Sequence, residues 1–258
     1  MAFYEPLGAG RYASTRHTAG PWSAESQHLG PPSALLAREL AALPASGPAA
    51  LVRVTVEILG PVPVAELEVS AAVERPGRSV ELLRGEISAG GRPVARASAW
   101  RIATSDSASV RTDDVPPLAP PATGTPTGRP EGWGPGYLDA LEWRALAGRL
   151  GTPGPATVWA RQTVPLVAGE EPTGLQRLLV VADSGNGVSG LFDPRRWLFI
   201  NTELTVHLTR EPVGEWIGLD AHTVVGANGT GTALSVLHDE SGPVARGAQA
   251  LLVRERQA

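Results

Sequence analysis

The chain has no cysteine, no lysine and no apolar run long enough to cross a membrane. Without cysteine, disulfides, thiolate metal ligands and a cysteine nucleophile are excluded. A transmembrane helix needs about 18 or more consecutive apolar residues, so none is predicted. The first residues contain neither the basic region nor the apolar region of a secretion signal. We therefore expect a cytoplasmic protein that does not insert into membranes.

The charged residues give no sign of a nucleic-acid partner. All 22 basic residues are arginine, and the 26 acidic residues leave a net charge of -4 and a pI near 5.8. A nucleic-acid-binding domain is usually basic, so we expect no such partner. The five histidines are scattered without the spacing of metal ligands, and we expect neither a metal nor a cofactor.

The stretch from Gln27 to Pro44 predicts a buried helix. Pro31 and Pro32 suit the first turn, where an N–H group has no intrahelical partner, and Pro44 ends the helix. Leucine and alanine fill most positions between them, so little of the surface is polar. Such a helix is typically buried rather than amphipathic.

Four Val-rich segments with Gly/Pro turns follow this helix, at 51–59, 65–74, 79–88 and 93–102. Several alternate apolar and polar residues, which indicates an antiparallel meander with one buried face. A buried helix followed by four such strands implies a curved sheet wrapped around the helix. This is the pattern of a hotdog domain.

The same order of elements returns after a Pro/Ser/Thr-rich linker. Two strand-like segments (137–146 and 157–165) lead to a helix-like segment (173–184) that Gly185 can end, and four more strands are predicted at 198–209, 216–225, 231–239 and 243–253. We predict an N-terminal hotdog domain (1–103), a linker (104–131) and a C-terminal hotdog domain (132–258).

A sequence match supports a duplication. Gly-Arg-Pro-Val-Ala-Arg-Ala at 91–97 corresponds to Ser-Gly-Pro-Val-Ala-Arg-Gly at 241–247, and each segment opens the last strand of its half. Two such halves can pair their sheets edge to edge, which protects strands that would otherwise aggregate. The predicted fold is therefore an α+β double hotdog.

With these elements in place, the sequence resembles the double-hotdog acyl-CoA thioesterase family of the acyl-CoA thioesterase II type, over nearly the whole chain. The matching motifs are His-Leu-Gly-Pro-Pro at 28–32, Asn-Thr-Glu-Leu-Thr-Val-His-Leu-Thr-Arg at 201–210, Glu-Trp at 215–216 and Gly-Ala-Gln-Ala at 247–250. The resemblance implies hydrolysis of an acyl-CoA or related thioester.

The resemblance also implies a catalytic set. In that family an Asp, a Ser or Thr, and a Gln of the second half hold the attacking water. Counting seven residues back from Arg210 gives Glu203 at the Asp position, and Thr223 and Gln249 match the other two. We expect Glu203 to activate or orient the water and the other two to fix it by hydrogen bonds.

Three further residues are candidate substrate-binding residues. Gly30 begins the first helix, where free N–H groups and the helix dipole suit an oxyanion. His28 is placed to contact the thioester or to shape the entry turn, and Asp183 is a candidate pocket acid. Leu29 stands where the family motif usually has glycine.

Residue chemistry agrees with activated water. Because the chain has no cysteine and no Gly-x-Ser-x-Gly elbow, a covalent nucleophile is not expected. Gln249 interrupts an apolar run, where an unpaired buried amide would cost roughly 1 to 3 kcal/mol.

Two other functions stay open. A non-catalytic protein that binds acyl-CoA or an acyl group would explain the departures at Glu203 and Leu29. A hotdog hydratase or dehydratase is less favoured, because the Asp-x-x-x-x-His motif of that family is not apparent. A carrier-protein thioester, a monomer and a homo-oligomer are all compatible with the sequence.

Overall fold

The computed structural model describes residues 1–256, and within them sixteen β-strands, three α-helices and four short 3-10 helices form the regular structure. The elements before the linker are β1 (Tyr4–Gly8), β2 (Arg11–Ser14), β3 (Ala19–Gly20), β4 (Ser23–Gln27), α1 (Gly30–Ala41), β5 (Ala49–Ile58), β6 (Glu66–Arg75), β7 (Val80–Ala89) and β8 (Arg92–Ala103). The later elements are β9 (Thr125–Thr127), β10 (Leu141–Ala147), β11 (Ala156–Gln162), α2 (Gly174–Ala182), α3 (Gly185–Val188), β12 (Trp197–Asn201), β13 (Glu203–Leu208), β14 (Trp216–Val225), β15 (Thr230–Asp239) and β16 (Gly242–Glu255).

Fourteen strands form one sheet in the order β1-β2-β6-β7-β8-β5-β13-β16-β15-β14-β11-β10-β9, with β12 also paired to β16. The two halves meet where β5 runs antiparallel to β13, with Val56 opposite Leu204 and Val54 opposite Val206. All four of these side chains are buried. The predicted edge-to-edge pairing of two sheets is therefore confirmed.

Helix α1 lies in the core of the first half, packed on β5 to β8. Pro31 and Pro32 occupy its first turn as predicted, and Leu35, Leu36 and Leu40 are fully buried. Because most side chains of α1 are apolar, its burial removes apolar surface from water, whereas Arg38 and Glu39 remain partly exposed. The predicted buried helix is confirmed.

Helix α2 has the same position in the second half, packed on β11, β14 and β15. Thr173 and Gln176 form a capping box at its start, since each side chain accepts from the other residue's backbone N–H. The sheets and their helices give the predicted α+β double-hotdog architecture. The predicted domain bounds remain a prediction, and residues 257–258 lie outside the described residues.

The two helices touch each other, and Gly30 is the point of closest approach. A Cβ atom on Gly30 would lie 2.2 Å from the carbonyl oxygen of Val180, so only glycine fits there. This contact sets the start of α1 against the end of α2. It therefore brings the residues on either side of Gly30 close to Asp183, which caps α2.

Three predicted elements differ from the structure. The segment 198–209 is two strands, because the chain breaks at Thr202 between β12 and β13. The segment 137–146 begins as a 3-10 helix at Tyr137–Ala140 before β10. Gly185 does not end the helical path, because Asp183 and Ser184 keep right-handed helical backbone angles and lead into α3.

Part of the predicted linker packs on the second half. Residues 125–127 form the edge strand β9, which pairs with β10. Trp159 donates from Nε1 to the carbonyl oxygen of Ala119 at 2.8 Å, and Arg246 pairs with Asp114. Within residues 1–256, no helix is long and apolar enough to span a bilayer.

Candidate active site

Asp183 is the centre of a buried cluster of polar side chains. Only 5% of its side chain is exposed. Its Oδ1 accepts hydrogen bonds from Asn201 Nδ2 at 2.8 Å and from Gln249 Nε2 at 3.0 Å. A carboxylate buried with two amide donors is held in one orientation.

Gln249 is oriented through both ends of its amide. Its Nε2 also donates to the backbone carbonyl of Asp183 at 3.1 Å, and its Oε1 accepts from the backbone N–H of Asn186 at 2.9 Å. Gly185 permits this arrangement, since a Cβ atom there would lie 2.8 Å from Gln249 Oε1. The buried amide that the sequence singled out is therefore fully paired, which removes the cost of its burial.

His28 approaches the other oxygen of the carboxylate. Its Nδ1 lies 3.2 Å from Asp183 Oδ2 and accepts from the backbone N–H of Gly30 at 3.1 Å. Burial lowers the pKa of His28 to about 3, so the ring is neutral. Because Nδ1 accepts a hydrogen bond, the ring proton is assigned to Nε2.

The pKa of Asp183 is raised to about 7, because burial disfavours the charged carboxylate. Hydrogen bonds from Asn201, the Leu29 backbone and Gln249 oppose this rise. Near neutral pH the carboxyl group is thus present in both forms. When it is protonated, its O–H can share the single lone pair of His28 Nδ1 with the Gly30 N–H.

Tyr137 packs against one face of the His28 ring. The two rings are stacked with centroids 3.7 Å apart and planes 5° apart. The Tyr137 hydroxyl donates to the Val180 carbonyl at 2.7 Å and lies 2.8 Å from Ser184 Oγ. Since its one proton goes to Val180, the hydroxyl of Ser184 donates to Tyr137. The tyrosine therefore ties the ring to the end of α2.

A pocket of about 210 Å³ opens beside this cluster. His28, Ser184 and Asn186 form one polar part of its wall. Most of the remaining wall is apolar, and it includes five aromatic residues, Trp22, Trp133, Phe192, Trp197 and Phe199. A largely apolar pocket with a few convergent polar groups and a shifted pKa beside it is the usual form of an active site.

Within the described part of the chain, no group of three or more His, Asp or Glu side chains is placed to hold a metal ion.

Comparison with known families identifies the chain. The acyl-CoA thioesterase N-terminal domain matches residues 18–102, and the acyl-CoA thioesterase C-terminal domain matches residues 113–253. The chain belongs to the acyl-CoA thioesterase family. Two consecutive matches of this kind confirm the family resemblance seen in the sequence.

Solved structures share the fold of this acyl-CoA thioesterase family member. A conserved hot dog fold protein of unknown function from Alicyclobacillus acidocaldarius is 15% identical, with 98% of this chain and 96% of that chain covered and a TM-score of 0.75. The tesB protein of Mycobacterium avium subs paratuberculosis is 16% identical, with 97% and 96% covered and a TM-score of 0.69. The acyl-CoA thioesterase II TesB2 of Mycobacterium marinum is 15% identical, with 99% and 96% covered and a TM-score of 0.67. At these identities the likeness shows the fold alone. No curated protein matches the chain.

In this acyl-CoA thioesterase family member, Glu203 lies apart from Gln249. Leu204 faces the core, so its neighbours Glu203 and Thr205 face the opposite side of the sheet. The Glu203 carboxylate accepts from the Ala250 N–H at 2.8 Å and from Thr205 Oγ1 at 2.9 Å. The structure therefore does not bring together the two residues that we expected to share a water.

Thr223 lies on the same face as Gln249 but two strands away. Thr223 is opposite Ala233, and Ala233 is opposite Gln249, which gives a separation of roughly 10 Å at the usual strand spacing. Ser189 donates to the Gly185 carbonyl at 2.8 Å, so the Thr223 hydroxyl 2.7 Å away donates to Ser189. Thr223 thus ties β14 to the turn after α3.

Gly30 does not offer a free N–H group. Its N–H donates to His28 Nδ1, and Pro31 and Pro32 have no N–H to offer. The oxyanion site expected at the start of α1 is therefore already filled, and Gly30 acts as a close-packing residue. His28 and Asp183, the other two candidate binding residues, do lie together, and His28 lines the pocket.

Sequence reasoning missed Asn201, Tyr137 and Asn186. Asn201 is the last residue of β12, directly before the break at Thr202, and polar residues at strand ends are common. Asn186 contributes only its backbone N–H, which no side-chain pattern can signal. A lone asparagine or tyrosine therefore gave no usable signal.

Proposed function

We propose that this protein hydrolyses acyl-CoA-type thioesters by means of a water molecule that Asp183 activates. The supporting observation is that the buried Asp183 carboxylate has a pKa of about 7 and accepts hydrogen bonds from Gln249 and Asn201. It also lies next to His28, which lines the pocket. A general base is most effective when its pKa lies near the working pH. Asp183 thus takes the role that we had expected of Glu203.

The reaction needs no further reagent. Water adds to the carbonyl carbon and gives one proton to the Asp183 carboxylate. The tetrahedral intermediate then breaks its C–S bond, and Asp183 returns the proton to the departing sulfur. The products are a free acid and a free thiol, so every atom is accounted for.

His28 is the proposed donor to the developing oxyanion. Its Nδ1 is engaged by Gly30 and Asp183, so its Nε2–H is the donor left for a substrate in the pocket that it lines. A neutral imidazole donates without adding a charge to a buried site. Such donors act on the charge that develops in the transition state.

Gln249 and Asn201 hold the carboxylate in its reactive position. Their hydrogen bonds favour the charged form of Asp183 and limit the rise of its pKa. Without either amide, the carboxylate would lose part of its orientation and become less acidic still. We therefore propose Asp183, Asn201 and Gln249 as the unit that positions and activates the water.

Thiol release from a panel of acyl-CoA esters tests this proposal. The wild type should release thiol, and Asp183→Asn should lose about 10²- to 10⁴-fold in rate, the usual contribution of a general base. Glu203→Gln is the control, since Glu203 lies on the other face of the sheet and should leave turnover close to that of the wild type.

Two results would contradict the assignment. A loss confined to Glu203→Gln would return the catalytic role to that residue. No turnover by the wild type, together with a rise in its Tm on addition of acyl-CoA, would instead favour a protein that binds acyl groups without hydrolysing them.

A further inference from the structure

We infer that the pocket accepts a compact aromatic acyl group, such as an arylacetyl group, rather than a long fatty acyl chain. This inference rests on the proposed function, because it names the substrate class of the same site. It follows from the volume of the pocket, the aromatic side chains on its wall and the tryptophan pair at its outer end.

The volume fits one ring. The pocket holds about 210 Å³, whereas an apolar protein cavity of about 150 Å³ binds one benzene molecule. The remaining space matches a short link between the ring and the thioester carbonyl. A chain of sixteen carbons needs several times the volume of a benzene ring, which exceeds the space in this pocket.

The wall is suited to the faces and edges of a ring. Phe192 lies 5.4 Å from Trp197 and 6.2 Å from Phe199 between ring centroids, the latter at 81° between planes. The three rings line the pocket at different orientations to one another, with 33° between Phe192 and Trp197. Aromatic pairs in offset or edge-to-face arrangements gain affinity beyond that of simple apolar burial.

Trp22 and Trp133 bound the pocket at its outer end. Their ring centroids are 4.4 Å apart at 52° between planes, although they come from the β3–β4 turn and from the segment before β10. The Gly134 N–H donates to the Pro21 carbonyl at 3.0 Å, which fastens the two segments together. The pair is therefore a fixed aromatic part of the wall at this end of the pocket.

Beyond the pair the surroundings change in character. A wider recess of about 630 Å³ adjoins the pocket and shares Trp22, Trp133, Phe192 and Arg256 with it, among other residues, and its wall adds the charged residues Glu131, Asp193 and Arg195. An alkyl chain that passed the tryptophans would lie against charged groups and solvent. Longer apolar chains thus gain little from extending past the pair.

Binding to the Asp183→Asn variant tests the inference without interference from turnover. Calorimetry with phenylacetyl-CoA, palmitoyl-CoA and free CoA should give the tightest binding to phenylacetyl-CoA. Trp22→Ala in the same background should weaken the binding of phenylacetyl-CoA by about 2- to 12-fold, the range for a lost aromatic pair. It should also reduce the difference in affinity between phenylacetyl-CoA and palmitoyl-CoA. Trp22 is 58% exposed, so its removal should not prevent folding.

Trp100→Ala is the matched control, since Trp100 is a half-buried indole on β8 that does not line the pocket. It should leave all three affinities unchanged. Palmitoyl-CoA binding as tightly as phenylacetyl-CoA would overturn the inference. Free CoA binding as tightly as phenylacetyl-CoA would also overturn it, because the pocket would then hold the leaving group.

The inference and the proposed function fail in different measurements. A wild type that releases thiol fastest from palmitoyl-CoA supports hydrolysis and overturns the aromatic preference. A wild type that releases no thiol, while phenylacetyl-CoA still binds best, overturns hydrolysis and supports the aromatic preference.

Discussion

Asp183 ionises near neutral pH because burial disfavours its charge, while hydrogen bonds from Asn201 and Gln249 favour it. These opposing effects place the pKa of Asp183 near the pH at which a general base is needed. Only the ionised carboxylate can accept a proton from water. The same titration therefore governs both the proposed rate and the free energy of folding.

The rate of thioester hydrolysis should rise with pH. Since the charged form of Asp183 is the proposed base and its pKa is about 7, kcat/KM should increase as pH passes through 7 and level off above it. A series of initial rates on either side of pH 7 measures this. Glu203→Gln should keep the same midpoint, and a midpoint near 4 would show that an ordinary exposed carboxylate is the base.

The free energy of unfolding should respond in the opposite direction. The pKa of Asp183 is higher in the folded state than its ordinary 3.8, so the folded protein binds more protons between about pH 4 and pH 7. Its contribution to stability is therefore complete at low pH and is lost as pH rises through 7. The shift corresponds to at most about 4 kcal/mol.

Asp183→Asn should remove this loss, because an amide does not ionise and its NH₂ can donate to His28 Nδ1 as the protonated acid does. We expect the variant to have a higher Tm than the wild type at pH 8 and a shrinking advantage toward pH 4. The lowered pKa of His28 makes the folded protein more stable as pH rises, which is the opposite of the effect of Asp183. Comparing the two proteins at the same pH cancels this contribution, because both contain His28. A pH-independent difference between them would contradict the assignment.

The helices and strands that the sequence predicted correctly are those marked by a regular pattern of apolar and polar residues within the element itself. The strand at 216–225 has the predicted bounds because its alternation is regular and turns flank it. The break at Thr202 was missed, because 198–209 is continuously strand-like and only its register against β16 shifts by one residue between Asn201 and Thr205. The contact between His28 and Asp183 depends on how α1 packs on α2, which spacing along the chain cannot show.

The same reasoning separates the site residues. Gln249 was predicted from the family resemblance, and its place in an apolar strand supported the prediction because a buried amide needs hydrogen-bond partners. The structure places it in the cluster. Glu203 was chosen by counting along a motif, which carries no information about the face of the sheet. The Asp183 carboxylate was predicted as a pocket acid, but its amide partner Asn201 was not.

Gly30 is the element-scale contact on which the site depends. Gly30→Ala should place a methyl group against the Val180 carbonyl and push the start of α1 away from α2, which carries His28 away from Asp183. Overpacking of this kind costs about 1 to 3 kcal/mol, so both Tm and kcat/KM should fall. Gly60→Ala is the control, because nothing lies within 4 Å of a Cβ atom there. An unchanged kcat/KM in Gly30→Ala would show that the helix contact does not position His28.

The whole molecule combines both halves in one site, since His28 precedes α1 and Asp183 follows α2. The duplication also predicts that the first half contains positions equivalent to Asp183 and Gln249. Aligning Gly30 with Gly174 places Glu39 at the position of Asp183, and aligning 91–97 with 241–247 places Ala99 at the position of Gln249. The counterpart has therefore kept a carboxylate and lost the amide that orients it.

Other groups hold the counterpart carboxylate. Glu39 accepts from the Tyr12 hydroxyl at 2.6 Å and pairs with Arg38, and Arg38 Nε donates to Glu170 at 2.7 Å. Burial and the Glu39 contact raise the pKa of Tyr12 to about 12, so its hydroxyl remains a donor. These contacts link α1 to β2 and to the segment before α2, which is a structural use of the duplicated position.

One chain should therefore bind and hydrolyse one thioester at a time. Glu39→Gln should keep kcat/KM near the wild-type value, because the amide still accepts from Tyr12, and it should lower Tm slightly through the lost ion pair with Arg38. Calorimetric titration of Asp183→Asn with phenylacetyl-CoA should give a stoichiometry close to one per chain. A stoichiometry of two, or a halved rate in Glu39→Gln, would instead mean that the first half also contains a working site at Glu39. The lack of an amide at Ala99 would then not have inactivated that site.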